Sequence, residues 1–415
     1  MNEKRENLFI VYLISFIIFG VSCRSGNVET GLDRVEDYKD LFRNKRVGII
    51  TNNTAYDRNN RYIVDIFKEM KDVKITAIFT PEHGLEGKKE PGEKIDYRSG
   101  VWGLVPVYSL YGKTLKPTKE MVENIDLFVF DIQDIGARFY TYIWTMALAM
   151  ESAAEHGKRF IVLDRPNPIS GLYVEGNILE EKFSSFVGLY PIPVRHGMTV
   201  GELAEMFNQQ GWLKNGLKAD LFVVKLRGWR RFYFYDQTGL RFIKPSPNIP
   251  TLESAIIYPG TCLLEGTNVS EGRGTDSPFL LFGAPWMDGK KVSARLNALR
   301  LPGLKFVNEK FRPVSILGVV KSPKYLNTIC DGCRIIILDR TKIRPYWTGI
   351  NIVNTIYRLY PEKFKWYNHH FDNLCGSAKI RNAIINRTDL EKLHDQWYHD
   401  LNKFIEIRNK YLFYQ

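Results

Sequence analysis

Apolar runs alternate with amphipathic stretches through the first half of the chain, a pattern that is typical of parallel α/β units. The apolar runs are short and rich in β-branched and aromatic residues, which favours buried strands. Five strands are predicted by such runs, over residues 46–50, 74–79, 105–109, 125–130 and 160–163. Pro106 cannot donate a hydrogen bond to a sheet, so the third of these strands is expected near a sheet edge.

Apolar residues at helical spacing predict the helices. They are expected after residue 62, where Ile63, Ile66, Phe67 and Met70 share a face, over about 138–156, over 200–210 and over about 389–411. The second of these is expected to be the longest. Thr199 and Glu202 have the spacing of a capping box at the start of the third. Residues 258–275 are predicted to form a long loop, and residues 335–338 a strand.

The composition changes near residue 188, where proline and glycine become frequent. We place a soft domain boundary near residue 240, with no internal repeat on either side of it. The expected organisation is a signal peptide over 1–22, a linker over 23–45, a parallel α/β domain over 46–240 and a smaller C-terminal α/β domain over 241–415.

Polar clusters stand at the ends of nearly all the predicted strands. The carboxyl ends of parallel strands meet at one edge of an open α/β sheet, where the ligand crevice lies. Seven ionisable side chains are expected to converge there: Glu82, His83, Asp131, Asp134, Arg138, Asp164 and Arg165. Helix capping accounts for single aspartates, but not for a Glu-His pair or for two aspartates followed by an arginine. We therefore expect a functional site at this edge.

The N-terminus has the pattern of a secretory signal. Lys4 and Arg5 precede an uncharged apolar run over 8–21, which is shorter than the roughly 20 residues that a spanning helix needs. Cys23 follows small residues that resemble a bacterial lipoprotein cleavage site, so we expect lipidation of Cys23. A plain signal peptide or a retained anchor is the alternative. Export is expected in each case, and residues 24–27 lack an acidic run, which favours the periplasmic face of the membrane.

The net charge and the aromatic content do not by themselves identify the class of binding partner, but the expected export narrows the choice. The net charge is +12 and 13% of the residues are aromatic, which suits nucleic acid or an anionic sugar polymer equally well. Removal of residues 1–22 takes away two basic and two acidic residues, so the net charge is unchanged. Because an exported protein is separated from the chromosome, no nucleic-acid partner is expected.

Missing motifs exclude several kinds of site. Four cysteines beyond Cys23 are too few for a disulfide framework. Cys330 and Cys333 flank an Asp-Gly turn signal, which predicts a small disulfide or two buried thiols. No paired histidines support a metal site, and no Gly-x-Ser-x-Gly marks a serine hydrolase. The glycine-rich stretch over 265–275 lacks the endings of nucleotide-binding loops, so neither a metal nor a cofactor is expected.

Carboxylates, His83 and His196 remain as candidates for acid–base chemistry. Glycoside hydrolysis requires a protonated acid for the leaving oxygen, a second group near the anomeric carbon and rings that stack on sugars. Carboxylates and abundant tyrosine and tryptophan meet these requirements. Two alternatives remain: a non-catalytic protein that binds cell-wall fragments, and an exported esterase or deacylase that uses His83 or His196.

Six motifs lie in a distinctive order along the chain. They cover residues 51–54, 81–84, 129–142, 163–168, 193–198 and 260–275. In sequence and order they resemble the motifs of the NamZ-type exo-β-N-acetylmuramidases, and the resemblance runs from about residue 46 to residue 414. Asn53 departs from the family pattern, which has proline there, and Cys330 and Cys333 belong to no family motif.

The resemblance implies a Rossmann-like N-terminal catalytic domain and a smaller C-terminal α/β domain that completes the cleft. It also implies an enzyme that releases N-acetylmuramic acid from the non-reducing end of peptidoglycan fragments. The lactyl carboxylate of that sugar suits an arginine fork, for which Arg138, Arg195 and Arg273 are the candidates. The oligomeric state is left open.

Catalytic roles are expected among residues of these motifs. Glu82 is favoured as the general acid, because it follows a buried strand and apolar surroundings raise a carboxyl pKa. The second group is open among Asp131, Asp134, Glu265, Glu271 and the N-acetyl group of the substrate, with His83 beside Glu82. Substrate contacts are expected from Asn52, Arg138, Tyr140, Asp164, Arg165, Asn167, Arg195, His196, Glu265, Asn268 and Arg273.

Overall fold

The computed structural model describes residues 27–87 and 98–415, except for the side chains of residues 98–102. The predicted signal peptide and Cys23 lie outside these ranges. Within the described ranges, no helix combines the length and the apolar character needed to cross a membrane. The part of the predicted linker that is described packs against the sheet, because Val28, Val35 and Phe42 are buried there.

The described residues form strands and helices in the following order. The strands are β1 (Lys45–Thr51), β2 (Val73–Thr80), β3 (Arg98–Trp102), β4 (Val105–Ser109), β5 (Leu127–Asp131), β6 (Arg159–Leu163), β7 (Glu175–Ile178), β8 (Pro193–Arg195), β9 (Asp220–Val224), β10 (Leu281–Ala284), β11 (Leu304–Phe311) and β12 (Cys330–Ile337). The helices are α1 (Ile63–Glu69), α2 (Lys119–Val122), α3 (Tyr142–Glu155), α4 (Val200–Gln209), α5 (Leu252–Thr261), α6 (Gly289–Ala298), α7 (Pro345–Leu359), α8 (Asn368–Cys375), α9 (Lys379–Ile385) and α10 (Leu390–Asn409).

The large sheet has the strand order β3-β4-β2-β1-β5-β6-β9. Only β3 runs antiparallel to its neighbour among these strands. Counted along the chain, the six parallel strands lie in the order 3-2-1-4-5-6, which is the order of a Rossmann fold. The predicted α/β fold with a Rossmann-like sheet is therefore confirmed. The strand order reverses between β1 and β5, and a ligand crevice is expected outside their carboxyl ends.

Both faces of this sheet are covered by apolar packing. In β5 the side chains of Phe128 and Phe130 join the core beneath α3 and α4, whereas Leu127 and Val129 join the core beneath α1. Successive residues of a strand point to opposite faces, so a strand that is apolar throughout requires a layer on each side. This explains why β5 is an uninterrupted apolar run in the sequence.

The edges of the sheet agree with one expectation and add one strand that was not predicted. The strand with Pro106 lies near an edge, as expected, and β3 pairs antiparallel beyond it and places Val101 opposite Pro106. The opposite edge is β9, which the apolar pattern did not predict because its burial is only partial.

Two expectations about helices are wrong. The helix expected from residue 138 begins only at Tyr142, and the longest described helix is α10. Residues 138–141 turn instead, and Arg138 N donates to Val194 O rather than to a carbonyl of a helix. The loop expected over 258–275 begins as a helix, since α5 continues through Pro259 to Thr261. The capping box of Thr199 and Glu202 is confirmed.

A three-stranded antiparallel sheet, in the order β10-β12-β11, forms the centre of the C-terminal part. Cys330 and Cys333 are buried free thiols within β12, which confirms one of the two predicted alternatives. The Asp-Gly pair between them is not a turn, because Gly332 lies in the strand opposite Gly283. A side chain at position 332 would approach Phe282 O to 2.0 Å, so close strand pairing requires this glycine.

Arg138 joins the two parts of the chain. Its guanidinium is fully buried and donates to four carbonyl oxygens. Nη1 bonds Asn177 O and Ile192 O at 2.9 Å each, and Nη2 bonds Leu374 O at 3.2 Å and Cys375 O at 2.7 Å. The last two carbonyls end α8, where a cation satisfies groups that have no partner within a helix.

The C-terminal residues return to the parallel sheet. The Tyr414 hydroxyl donates to Asp164 at the end of β6 with a distance of 2.5 Å, and Phe413 N donates to Glu202 at 2.8 Å. Thr199 Oγ1 and Gly201 N also donate to Asp164. Burial nevertheless raises the pKa of Asp164 to about 7.

Asp131 and Arg165 form a buried ion pair between neighbouring strands β5 and β6. Arg165 donates from both Nε and Nη2, the latter at 2.9 Å, and both side chains are at most 3% exposed. Arg159 and Asp220 form a comparable pair between β6 and β9 at 2.8 Å, but they are 44% and 61% exposed.

We expect Arg165→Ala to lower the free energy of unfolding by about 3–5 kcal/mol, because it leaves the Asp131 carboxylate buried without its partner. The matched variant Arg159→Ala should cost at most about 1 kcal/mol, since water already screens that pair. Chemical denaturation of both variants measures the difference. Equal losses would contradict the structural role assigned to the buried pair.

Candidate active site

A cavity of about 380 Å³ lies outside the carboxyl ends of β2, β4 and β5. Residues that follow these three strands form one wall, and residues between α5 and α8 form the other. The cavity therefore lies beside the point where the strand order reverses, and the C-terminal part closes it. Of the predicted site residues, it brings together Glu82, His83, Tyr140, Glu265 and Arg273.

Glu82 enters the cavity from a tight turn after β2. Gly84 N donates to Pro81 O at 3.1 Å, and both His83 and Gly84 have a φ of 71°. A positive φ is uncommon for a residue with a side chain, so the turn at His83 is held by its surroundings. The turn leaves Glu82 half-buried, and the Thr141 hydroxyl donates to Glu82 Oε2 at 2.9 Å.

The opposite wall carries a second carboxylate. Arg273 Nη2 donates to Glu265 Oε1 at 2.5 Å, and His370 Nε2 lies 3.7 Å from Glu265 Oε2. Burial by itself raises the pKa of Glu265, but the charge of Arg273 and the hydrogen bonds from His370 and Arg273 outweigh it and lower the pKa to about 2. The charge of Arg273 therefore favours the ionised form of Glu265, which does not suit the role of proton donor.

Glu271 stands behind this wall. Its carboxylate lies 3.3 Å from Arg273 Nε and 3.0 Å from Lys324 Nζ, and only 3% of the residue is exposed. The structure does not bring Glu271 to the cavity, so the catalytic role expected for it is not supported. Instead Glu271 orients Arg273.

Aromatic rings line the space between the walls. The Tyr258 ring lies 5.9 Å from that of Tyr140 and 4.8 Å from that of Phe279, in edge-to-face contacts. Burial, with smaller contributions from Tyr142 and Asp134, raises the pKa of Tyr140. Its hydroxyl therefore remains a hydrogen-bond donor at physiological pH. Rings with polar edges suit the alternating apolar faces and hydroxyls of a sugar.

Several buried polar side chains lie near Tyr140, where the strand order of the large sheet reverses. Met198 N donates to His196 Nδ1 at 3.2 Å, so His196 Nε2 carries the proton, and it lies 3.6 Å from Asp134 Oδ2. Among the described residues, His196 Nε2, Asp134 Oδ1, Asn52 Nδ2 and Asn248 Oδ1 are buried without a hydrogen-bond partner. Such groups are costly unless something else binds them, which favours a polar ligand nearby.

Two predicted arginines do not face the cavity. The Arg138 guanidinium is occupied by carbonyl groups, as described above. Arg195 lies on the far side, where its guanidinium contacts Ile169 O and stacks on the Tyr173 ring at 4.6 Å. The expectation that either one binds a substrate carboxylate does not hold here, because the cavity wall contains neither. Of the three candidates, only Arg273 lines the cavity.

Several other predicted site residues form hydrogen bonds that stabilise the fold. Asp131 and Arg165 pair with each other, and Asp164 binds Tyr414, as described above. Asn167 Nδ2 donates to Met198 O at 3.0 Å, and Asn268 Nδ2 donates to Lys363 O at 2.9 Å. These five side chains form hydrogen bonds within the protein and do not line the cavity. The structure therefore does not support them as catalytic or substrate-contacting groups.

Other cavity residues, among them Thr141, Asn248, Tyr258 and His370, are not predicted from the sequence. Thr141 lies within a family motif, and Asn248 lies in a proline-rich stretch over residues 244–251 that carries no chemical motif. The histidine next to His370 is His369, and two adjacent side chains point in different directions from a helix. Among the described residues, no cluster of His, Cys, Asp and Glu has the arrangement of a metal site.

Comparison with known proteins agrees with this geometry. Residues 47–253 match the family described as "Exo-beta-N-acetylmuramidase NamZ, N-terminal", and residues 256–414 match "Exo-beta-N-acetylmuramidase NamZ, C-terminal". The peptidoglycan beta-N-acetylmuramidase NamZ of Bacillus subtilis (strain 168) is 46% identical over 399 residues, which are 95% of this chain and 93% of that protein.

Two solved structures share the fold. Both are DUF1343 family proteins from Bacteroides fragilis NCTC 9343, and each comparison covers 94% of this chain and 99% of the other. One superposes with a TM-score of 0.84 at 38% identity, and the second with a TM-score of 0.74 at 33% identity. With both family domains matched in order and a close relative matched over almost its whole length, the chain belongs to the NamZ exo-β-N-acetylmuramidase family of glycoside hydrolases.

Proposed function

We propose that the protein removes N-acetylmuramic acid from the non-reducing end of peptidoglycan-derived glycans, with Glu82 as the general acid. One observation carries the proposal: Glu82 and the Arg273–Glu265 pair line the same aromatic cavity at the ligand-binding edge of the Rossmann-like sheet. The relative from Bacillus subtilis, a peptidoglycan beta-N-acetylmuramidase, supports the choice of substrate.

The size of the cavity supports action at a chain end. Its volume of about 380 Å³ is near the lower limit of small-molecule sites, which range from about 300 to 1,000 Å³. A space of this size fits one sugar unit better than an internal stretch of a glycan. The glycosidic bond of that terminal sugar would then lie at the mouth of the cavity.

The surroundings of Glu82 support its role as the proton donor. The hydroxyl of Thr141 donates to Oε2, so this oxygen acts as the acceptor and the acidic proton belongs on Oε1. Proton transfer from Oε1 to the glycosidic oxygen allows the remaining saccharide to leave as an alcohol. Thr141 thus orients the acid without contacting the bond that breaks.

The second group must act at the anomeric carbon. Glu265 remains ionised because of Arg273 and His370, which suits stabilisation of the positive charge that develops on the sugar ring. Asp134 lies deeper, beneath Tyr140, and the N-acetyl carbonyl of the substrate is a further candidate nucleophile. Each of these is compatible with Glu82 as the acid.

Arg273 is the proposed ligand of the lactyl carboxylate. Among the described residues, its Nε and Nη2 are directed to Glu271 and Glu265, which leaves Nη1 for a ligand in the cavity. The two glutamates fix the plane of the guanidinium, so little side-chain freedom is lost when substrate binds.

We expect Glu82→Gln to reduce turnover of a natural muramyl disaccharide by at least about 100-fold, because glutamine keeps the shape but cannot transfer a proton. An activated nitrophenyl muramide should lose much less, since its leaving group needs little protonation. Steady-state kinetics on both substrates measure the two effects.

Glu86→Gln is the matched control, because Glu86 lies four residues on in the same segment, is exposed and does not line the cavity. It should retain turnover within a few-fold. Disaccharide hydrolysis by Glu82→Gln at nearly the unsubstituted rate would remove Glu82 as the acid. Retained binding without hydrolysis in the unsubstituted protein would favour the non-catalytic wall-binding alternative.

We expect a muramide to be preferred over the matching N-acetylglucosaminide by roughly tenfold to a thousandfold, because a charged hydrogen-bond pair is lost with the latter. Arg273→Lys keeps the charge but loses the planar fork, and should reduce this preference mainly through the muramide. Comparison of kcat/KM for both sugars tests this. Equal turnover of the two sugars by the unsubstituted protein would show that no such contact exists.

We also propose that the protein is exported and anchored to the periplasmic face of a bacterial membrane through a lipid on Cys23. The basic residues and apolar run before Cys23 support this, and stable anchoring requires two or more acyl chains. Cys23→Ala should move the protein from the membrane fraction to the soluble fraction or stop its processing. Fractionation and mass spectrometry of the mature N-terminus measure the outcome, and a fully soluble product with a free Cys23 thiol would contradict it.

A further inference from the structure

A second cavity, of about 420 Å³, lies between α10 and the segment that leads into β7. It shares no lining residue with the active-site cavity. Three arginines line it, Arg195, Arg344 and Arg408, against one glutamate, Glu175. The proposed hydrolysis uses none of these four side chains, so their concentration in one cavity requires another explanation.

Two of the arginines are buried cations whose hydrogen bonds go to carbonyl groups. Arg195 and Arg408 are 2% and 5% exposed. Arg195 contacts Ile169 O, and Arg408 Nη2 donates to Gly171 O at 2.5 Å and Gly197 O at 2.8 Å. Burial lowers the pKa of each guanidinium to about 10. Neither side chain has a carboxylate within ion-pair distance among the described residues.

Both buried arginines also keep an unused donor. The Nε atoms of Arg195 and Arg408 have no hydrogen-bond partner in the described part of the chain. A buried charged donor without an acceptor is costly, and the two guanidinium groups that carry these donors line the cavity. The charge of an anion bound in the cavity would offset this cost, and this is the observation that points to a ligand.

The single glutamate does not balance the three arginines. Glu175 Oε1 accepts from Trp347 N at 2.8 Å, while Oε2 is buried without a hydrogen-bond partner among the described residues. His394 adds no positive charge, because burial and the nearby Arg344 lower its pKa and its Nε2 accepts from that arginine. The cavity therefore keeps an excess of positive charge and one free acceptor that a ligand hydroxyl could meet.

Aromatic rings complete the lining. The Arg195 guanidinium lies 4.6 Å from the centre of the Tyr173 ring, and α10 contributes Trp397 and Tyr398. Tyr398 is 61% exposed, so its ring is accessible to a ligand. Rings beside a planar guanidinium are suited to a sugar that bears a carboxylate, since the ring stacks on the sugar face and the fork binds the acid.

We propose that this cavity is a second, non-catalytic binding site for a carboxylate-bearing saccharide. Arg195, which lines this cavity, is adjacent in sequence to His196, whose Nε2 lies 3.6 Å from Asp134 Oδ2. Such a site would hold either the released monosaccharide or a neighbouring part of the glycan. The choice of muramyl probes rests on the proposed function, but the arginines and rings that define the site do not.

The test is calorimetric titration of the full-length chain with N-acetylmuramic acid, which is not hydrolysed, and with N-acetylglucosamine as the neutral probe. We expect two equivalents of N-acetylmuramic acid and at most one of N-acetylglucosamine. The double variant Arg344→Ala/Tyr398→Ala changes two exposed side chains and should weaken the second equivalent at least about tenfold. Arg295→Ala, on a basic depression beside α6, is the matched control and should bind two equivalents.

A peptide-free muramyl oligosaccharide, titrated into Glu82→Gln, distinguishes the two sources of the ligand. A second equivalent of the oligosaccharide but not of the monosaccharide identifies a glycan-binding site, and a second equivalent of both identifies a site that accepts the product. One equivalent of every probe, or an unweakened second equivalent in the double variant, would overturn the proposal.

Hydrolysis of a small chromogenic muramide separates this inference from the proposed function. The double variant should hydrolyse it at the unsubstituted rate, because the substrate is too small to reach both cavities. If the unsubstituted protein fails to hydrolyse the muramide but binds two equivalents of N-acetylmuramic acid, the proposed function fails and the second site stands.

Discussion

The buried guanidinium of Arg138 is the contact on which the two walls of the active-site cavity depend. It lies in the segment between β5 and α3 and binds carbonyl groups of the β7 region and the end of α8. The next three residues of the chain form part of the cavity wall, so the same turn that buries the arginine presents Thr141 to Glu82. At position 376 a side chain would approach Arg138 Nη2 to 2.8 Å, so glycine there leaves room for the guanidinium.

The two parts of the chain contribute different chemistry to one site. The N-terminal part supplies Glu82, the proposed acid, on a turn with a positive φ at His83, and polar groups at the reversal of strand order. The C-terminal part supplies a carboxylate that Arg273 and His370 keep ionised, together with the rings of Tyr258 and Phe279. Glycoside hydrolysis requires a proton donor and a second group near the anomeric carbon, the roles proposed for Glu82 and Glu265.

The sequence predicts the sheet well and the site in part, for physical reasons. An apolar strand is visible because burial on both faces forbids polar residues, and Glu82 could be found because turns after such strands face the crevice. The roles of the arginines were less predictable, because a guanidinium can bind either carbonyl oxygens of the protein or a substrate carboxylate. Nothing local distinguishes Arg138 from Arg273. The position of His370 in the site could not be predicted from the sequence, because only the packing of α8 brings it to Glu265.

The bond from the Tyr414 hydroxyl to Asp164 has a consequence for the order of folding. Asp164 follows a central strand, yet one of its donors lies 250 residues further along the chain. Before Phe413 and Tyr414 pack against the sheet, Glu202 and Asp164 each lack one donor, although other groups already bond both carboxylates. The parallel sheet therefore gains its full stability only after these two residues have packed against it, which makes the two halves one cooperative unit rather than independently maturing modules.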